Sequence, residues 1–165
     1  RDMTIHDFDM ARFFVPDIVE VTAHGARQFS DEIADADDYD AAVVTLRGAN
    51  GELITITNSR HSAYGYDQRI EAFGPGGLLR VDNIGESVVR AYTADSVGAQ
   101  AGYFDFFLER YADAYRLELA AFADAVRGRE LRCPGFEDGR AALILADAAV
   151  RSAAEGASVA VDVYA

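Results

Sequence analysis

Apolar positions along the chain follow two rhythms in turn, one helical and one of period two. Residues Thr4 to Phe14 carry helical spacing that stops ahead of Pro16, whose ring pushes the residue before it out of the helical region, so a first helix is predicted there. Period two then takes over. Val19, Val21 and Ala23, then Ala42, Val44 and Leu46, then Leu53 to Asn58 alternate as half-buried strands do, with Asn50-Gly51 as a two-residue hairpin signal. The alternation resumes at Gln68 to Phe73, turns through Gly74-Pro75-Gly76-Gly77, and continues in Leu78 to Asp82 and Val88 to Tyr92.

From Phe104 the spacing is helical again. Phe104, Leu108, Tyr111, Tyr115, Leu119, Phe122 and Val126 fall on one stripe that Gly128 ends, which predicts a long helix with a core-facing side. Pro134-Gly135 marks a loop, Asp138 is the expected N-cap of an alanine-rich helix running to about Ala154, and Gly156 follows as its C-terminal glycine. Val159, Val161 and Val163 form a last strand. The order predicts an α+β fold: an open, mostly antiparallel sheet of about six strands or more, with helices packed on one face. Three helices cannot cover both faces of such a sheet, so the second face is expected to pair with another copy of the chain.

Composition narrows the chemistry. With 165 residues and 50% hydrophobic content, one compact domain is expected. A net charge of −13, from 28 acidic against 15 basic residues, argues against nucleic-acid partners and anionic membranes. Every basic residue is an arginine, so Schiff-base chemistry and a lysine acid or base are excluded from this chain. The lone Cys133 excludes an internal disulfide and a cysteine zinc cage, and fits a reducing cytosol. No apolar run approaches the ~20 residues of a membrane helix, and no signal-peptide pattern appears, so a cytoplasmic location is expected. The acidic run Asp31, Glu32, Asp35, Asp37, Asp38 and Asp40 reads as a solvated loop. Opening at Arg1, almost directly into a chemically loaded helix, the sequence reads as a piece of something longer.

On the first helix Asp2, His6 and Asp9 are spaced i, i+4, i+7 and share one face that Phe13 continues. A carboxylate one turn from an imidazole suits a proton-accepting dyad. The same spacing also describes the wet side of an amphipathic helix with Asp2 as its N-terminal charge. One histidine and two carboxylates make a metal set only with a further ligand, and no metal is expected. Tyr66, in Tyr64-Gly65-Tyr66-Asp67, leaves a strand where it can hydrogen-bond a polyol or pack as an edge aromatic. Tyr115 lies mid-stripe and reads as a core tyrosine; Arg110 is ambiguous between surface and cleft, and Arg60 and His61 read as surface residues.

Three segments carry a family resemblance: Asp2-Met3-Thr4-Ile5-His6-Asp7-Phe8-Asp9-Met10, Tyr64-Gly65-Tyr66-Asp67, and Glu109-Arg110-Tyr111-Ala112-Asp113-Ala114-Tyr115. Together they closely resemble the myo-inositol 2-dehydrogenases of the glucose-fructose oxidoreductase/inositol dehydrogenase/rhizopine-catabolism family. The stretch from Pro134 to Gly156 resembles that family's C-terminal pattern. The resemblance implies a two-domain, NAD-dependent enzyme that oxidises a secondary hydroxyl of myo-inositol to the 2-ketone. This chain would be its C-terminal substrate-binding and oligomerisation domain, building dimers and tetramers through the open sheet.

By the same resemblance His6 is the general base and Asp2 its partner, Asp9 and Tyr66 line the substrate pocket, and Tyr115 lies near the nicotinamide. The chain departs from the family in lacking both a GxGxxG turn and the active-site lysine, so residues 1–165 alone are expected to be inactive. Two alternatives stay open. One is a dehydrogenase of another sugar or cyclic polyol; the other is a module that binds ligand or oligomerises without redox chemistry.

Overall fold

The computed structural model describes residues 1–130 and 133–164. It divides into two compact units, Arg1–His61 with Pro134–Ala165, and Ser62–Cys133.

The first unit is a sheet with two helices on one face. Helix α1 (Thr4–Phe14) ends as expected before Pro16. Strands β1 (Ile18–Ala26), β2 (Ala41–Gly48) and β3 (Leu53–Ser59) follow, with the one-turn helix α2 (Asp31–Asp35) between the first two. All neighbours in this sheet are antiparallel, in the order β3-β2-β1-β8, where β8 (Val159–Ala160) is the edge. Register puts Val21 opposite Leu46 and Ala23 opposite Val44, and Val44 in turn opposite Ile56, so the middle of one pleat face is apolar. Helix α5, as labelled in chain order (Phe136–Glu155), covers that face. Its buried positions Ala141, Ala142, Leu145, Ala146 and Ala148 are mostly small, which lets the helix lie close on the strands. Phe8 and Ala11 of α1 complete the core.

Local chemistry differs from expectation in three places. The cap of α5 is Gly135, and Asp138 sits three residues inside, its carboxylate accepting the Gly135 N–H at 2.9 Å, so the acid closes the helix end from within. Gly156 ends the helix in the left-handed conformation, φ 65°. The β2–β3 connection is a three-residue loop closed by Gly48 N–H on the Glu52 carbonyl, with φ 92° at Gly51. The acidic run is not simply a solvated loop. Asp31–Asp35 are helical, and Asp40 is buried, its carboxylate accepting the backbone N–H groups of Gln28, Phe29 and Ser30. Burial alone would push that carboxyl up, but these amides hold it below the usual carboxylate range.

The second unit holds β4 (Ile70–Gly74), β5 (Gly77–Val81), β6 (Arg90–Tyr92), β7 (Val97–Gln100), α3 (Phe107–Arg110) and α4 (Ala112–Val126). β4 and β5 form a hairpin around Pro75-Gly76, and β6 pairs with β7, a short strand the alternation did not announce. The α+β class with antiparallel strands therefore holds, the strands being divided into one four-stranded and two two-stranded sheets. The long apolar stripe forms two helices broken at Tyr111, and it is not a core: no residue described in this unit is buried, and Leu119, Phe122 and Val126 are exposed. Among the described residues no helix is long and apolar enough to cross a membrane.

Candidate functional site

Helix α1 presents two opposed faces. Phe8, only 1% exposed, anchors the helix in the core with Ala11 beside it. Two residues along a helix is about 200°, so His6 stands on the far side, exposed, with Asp2, Asp9 and Phe13 on the same stripe. Asp2 precedes the helix, but Met3 is already helical and the Ile5 N–H reaches the Arg1 carbonyl at 3.2 Å, so Asp2 keeps its place one turn before His6. Arg60 pairs with it, its Nη2 donating to Asp2 Oδ2 at 3.2 Å. Arg60 continues directly from β3, its N–H held by the Asp40 carbonyl at 2.8 Å.

A second bridge joins the same two elements. Asn58 Nδ2 donates to Asp7 Oδ2 at 2.9 Å, while Asn58 Oδ1 is buried with no hydrogen-bond partner among the described residues. Burial raises the Asp7 carboxyl above its ordinary value, against the opposing pull of the Asn58 hydrogen bond and the neighbouring His6. Asn58 on β3 and Arg60 just beyond its end both bond to the α1 segment, stapling this strand end to it at positions 7 and 2. A cavity of about 80 Å³ lies between the helices and this strand end, with Met3, Phe8, Asn58, Arg60 and Ala146 among its walls.

Tyr66 and Tyr115 belong to the second unit. The Tyr66 ring meets Tyr111 edge-on at 5.7 Å, and Tyr111 meets Tyr115 edge-on at 6.5 Å, so three tyrosines form a row. Arg110 lies 5.5 Å over the Tyr111 ring. Tyr115 is 42% exposed, which corrects its reading as a core residue. Behind Tyr66 lies a polar hub. Asp67 accepts from the Tyr64 hydroxyl at 2.6 Å, from Arg69 at 2.9 and 3.0 Å, and from the Asn83 amide. Burial opposes its charge, but the Tyr64, Asn83 and Arg69 donors prevail and hold the carboxyl below its ordinary value.

Of the residues picked from sequence, Asp2, His6 and Asp9 share a face of the first unit, and Tyr66 and Tyr115 share the aromatic row of the second. Sequence reasoning missed Asp7, Asn58 and Asn83, and it assigned Arg60 to the bare surface. The alternation of Asn58 and Arg60 at the end of a strand was the only available signal. Among the described residues no group of three or more His, Cys, Asp or Glu side chains could hold a metal ion.

Comparison with known proteins places these features in context. Residues 1–80 match the model of the GFO/IDH/MocA C-terminal domain. The chain is 46% identical over 157 residues to an inositol 2-dehydrogenase of Rhizobium meliloti, covering 94% of this chain and 47% of that protein. It is also 46% identical over 159 residues to a myo-inositol 2-dehydrogenase of Thermotoga maritima, covering 96% of this chain and 47% of the relative. Among solved structures, the crystal structure of a myo-inositol dehydrogenase from Corynebacterium glutamicum superposes with a TM-score of 0.94 at 57% identity, over 98% of this chain and 49% of that one. The chain thus spans about half the length of the curated relatives it matches, 47% of each of the two above.

Proposed function

We propose that this chain, whose residues 1–80 match the GFO/IDH/MocA C-terminal domain, is the substrate-side half of an NAD-dependent dehydrogenase that oxidises a secondary hydroxyl of myo-inositol to the 2-ketone. The observation that carries this reading is chain-long similarity: 57% identity at a TM-score of 0.94 to a myo-inositol dehydrogenase, over 98% of the residues.

The residues of this chain do not fit a dinucleotide site. Every strand pairing described is antiparallel, whereas a dinucleotide fold needs parallel strands joined by a glycine-rich turn into a helix. NAD is therefore assigned to a domain outside residues 1–165, with Tyr115 the one residue here offered to the nicotinamide side. No part of the cofactor's chemistry is derived from this chain.

What the chain supplies is the proton step and the grip on the polyol. The His6 imidazole takes the proton of the reacting hydroxyl, and Asp2, one turn before it, stabilises the imidazolium that forms. Asp9 accepts a hydrogen bond from another ring hydroxyl, and Tyr66 donates one. An exposed imidazole gains full effect only when water is kept from it, so the His6 face is the one the remaining domain covers. Assembly is assigned to a homo-oligomer built on the open sheet, where Val43 and Leu53 are exposed opposite the helix-covered face. The net charge of −13 disfavours a nucleic-acid role, and the lone Cys133 suits a cytoplasmic one.

The test joins the chain to its upstream domain and follows NADH formation with myo-inositol, scyllo-inositol and glucose. His6→Ala is expected to lower kcat by about 10²–10⁴-fold. Wild-type turnover in that variant would refute the base assignment, and preference for glucose would move the substrate to another sugar. Tight polyol binding by residues 1–165 alone, without NAD, would favour a non-enzymatic binding module instead.

A further inference from the structure

Tyr66 sits in a clamped segment. Its N–H donates to the Phe104 carbonyl at 2.7 Å, and the Tyr103 N–H reaches the Tyr64 carbonyl at 3.2 Å. Gly65, between the two tyrosines, has φ 111°, and a Cβ there would lie 2.7 Å from the Tyr103 carbonyl oxygen. The backbone therefore fixes where the Tyr66 side chain starts. Its ring is set by what surrounds it, and among the described residues the aromatic ring against it is that of Tyr111.

Tyr111 is in turn held through its hydroxyl, which donates to Gln68 Oε1. Gln68 is held by Asn83, whose Oδ1 accepts the Gln68 N–H at 2.6 Å. The other end of the same amide donates to Asp67. Asn83 thus spends both halves of its side chain on two adjacent residues, one of them the hub that also receives Tyr64 and Arg69. Asp67 and Gln68 directly follow Tyr66, and Gln68 reaches round to the ring that Tyr66 packs on. A partly buried amide with both ends engaged is well suited to fixing a neighbour, because rotating it breaks two bonds at once.

We infer that Asn83 is a positioning residue for Tyr66, holding its ring through Gln68 and Tyr111 so that the phenol meets a hydroxyl of the cyclic polyol. This rests on the reading of Tyr66 as a substrate-binding residue. It goes further by naming a residue that touches no substrate yet governs affinity for it.

The experiment uses the complete enzyme with myo-inositol as the probe and forms a double-mutant cycle from Tyr66→Phe and Asn83→Ala. Each single variant is expected to raise KM about tenfold, the scale of one lost hydrogen bond, with kcat nearly unchanged. In the double variant Asn83→Ala is expected to add no further loss, because the group it positions is already gone. Additive effects, or a fall in kcat with KM unchanged, would overturn the inference.

If Tyr66→Phe raises KM and Asn83→Ala does not, the positioning role alone is wrong. If Tyr66→Phe leaves KM unchanged, the substrate role of Tyr66 is wrong and the inference falls with it. Should Asn83→Ala fail to fold by circular dichroism, Tyr111→Phe gives the same test from the other end of the chain of contacts. It keeps the ring edge against Tyr66 and removes the hydroxyl that bonds Gln68. A KM rise that vanishes in the Tyr66→Phe background supports the inference, and an unchanged KM overturns it.

Discussion

Phe8→Ala is the sharpest test of how α1 is held. Phe8 is 1% exposed, while Phe13 on the same helix is 79% exposed, so one substitution type can be made on both faces. Removing the Phe8 ring forfeits about 2–3 kcal/mol of transfer energy. The void it leaves raises the expected cost to about 4 kcal/mol, within the usual Phe→Ala range. Phe13→Ala changes helix propensity equally and is expected to stay within about 0.5 kcal/mol of wild type. In urea, followed by far-UV circular dichroism, the Phe8 variant should unfold with a midpoint lower by roughly 2 M, taking a slope near 2 kcal/mol per M. Equal midpoints for the two variants would refute the assignment of Phe8 as the anchor of the His6 helix. A larger loss at Phe13 would mean that the exposed face of α1 is the packed one.

Two further substitutions probe polar and backbone constraints. The raised Asp7 carboxyl favours the protonated fold, so its contribution is fully present below the ordinary Asp pKa and is lost as pH rises through the higher folded value. Asp7→Asn imitates the protonated form and offers an N–H to the unpartnered Asn58 Oδ1; it is expected to stabilise the first unit by up to about 1 kcal/mol at pH 7, discounted for partial exposure, with the gain shrinking in acid. Urea midpoints at pH 7 and pH 3 check this, and a destabilised variant at pH 7 would contradict it. Gly65→Ala forces a Cβ to 2.7 Å from the Tyr103 carbonyl oxygen at a φ of 111°, so the second unit is expected to lose about 2 kcal/mol or more, read as loss of amide-exchange protection around Tyr66 and Tyr103.

Much of the first unit was legible because its core follows simple periods. Val21, Ala23, Val44 and Leu46 alternate and are buried, and the bounds of α1 are those that Pro16 dictates. What escaped reading has a common physical cause. Asp40 is buried because backbone amides, which carry no sequence signature, take up its charge; a run of acids therefore looked solvated. The stripe through Leu119, Phe122 and Val126 has helical period but stays exposed among the described residues, and periodicity reports only that a face is apolar, not what lies against it. At the candidate site, spacing placed His6 and Asp2 on one face and only the family resemblance offered them a role, whereas Asn58, Arg60 and Asn83 make their bonds across long sequence separations. Their roles emerge only once strands and loops are folded together.

The rim of the four-stranded sheet carries one more consequence. β8 pairs with β1 only at Glu20 and Val21, which would leave the next inward amide of β1, at Ala23, open to an incoming strand. Ser152 of α5 closes it: its hydroxyl accepts the Ala23 N–H at 2.9 Å and donates to the Ala157 carbonyl at 2.6 Å. A single buried hydroxyl thereby stops the ladder from being extended at that margin, a safeguard against edge-to-edge aggregation built from a helix rather than from a charge or a proline.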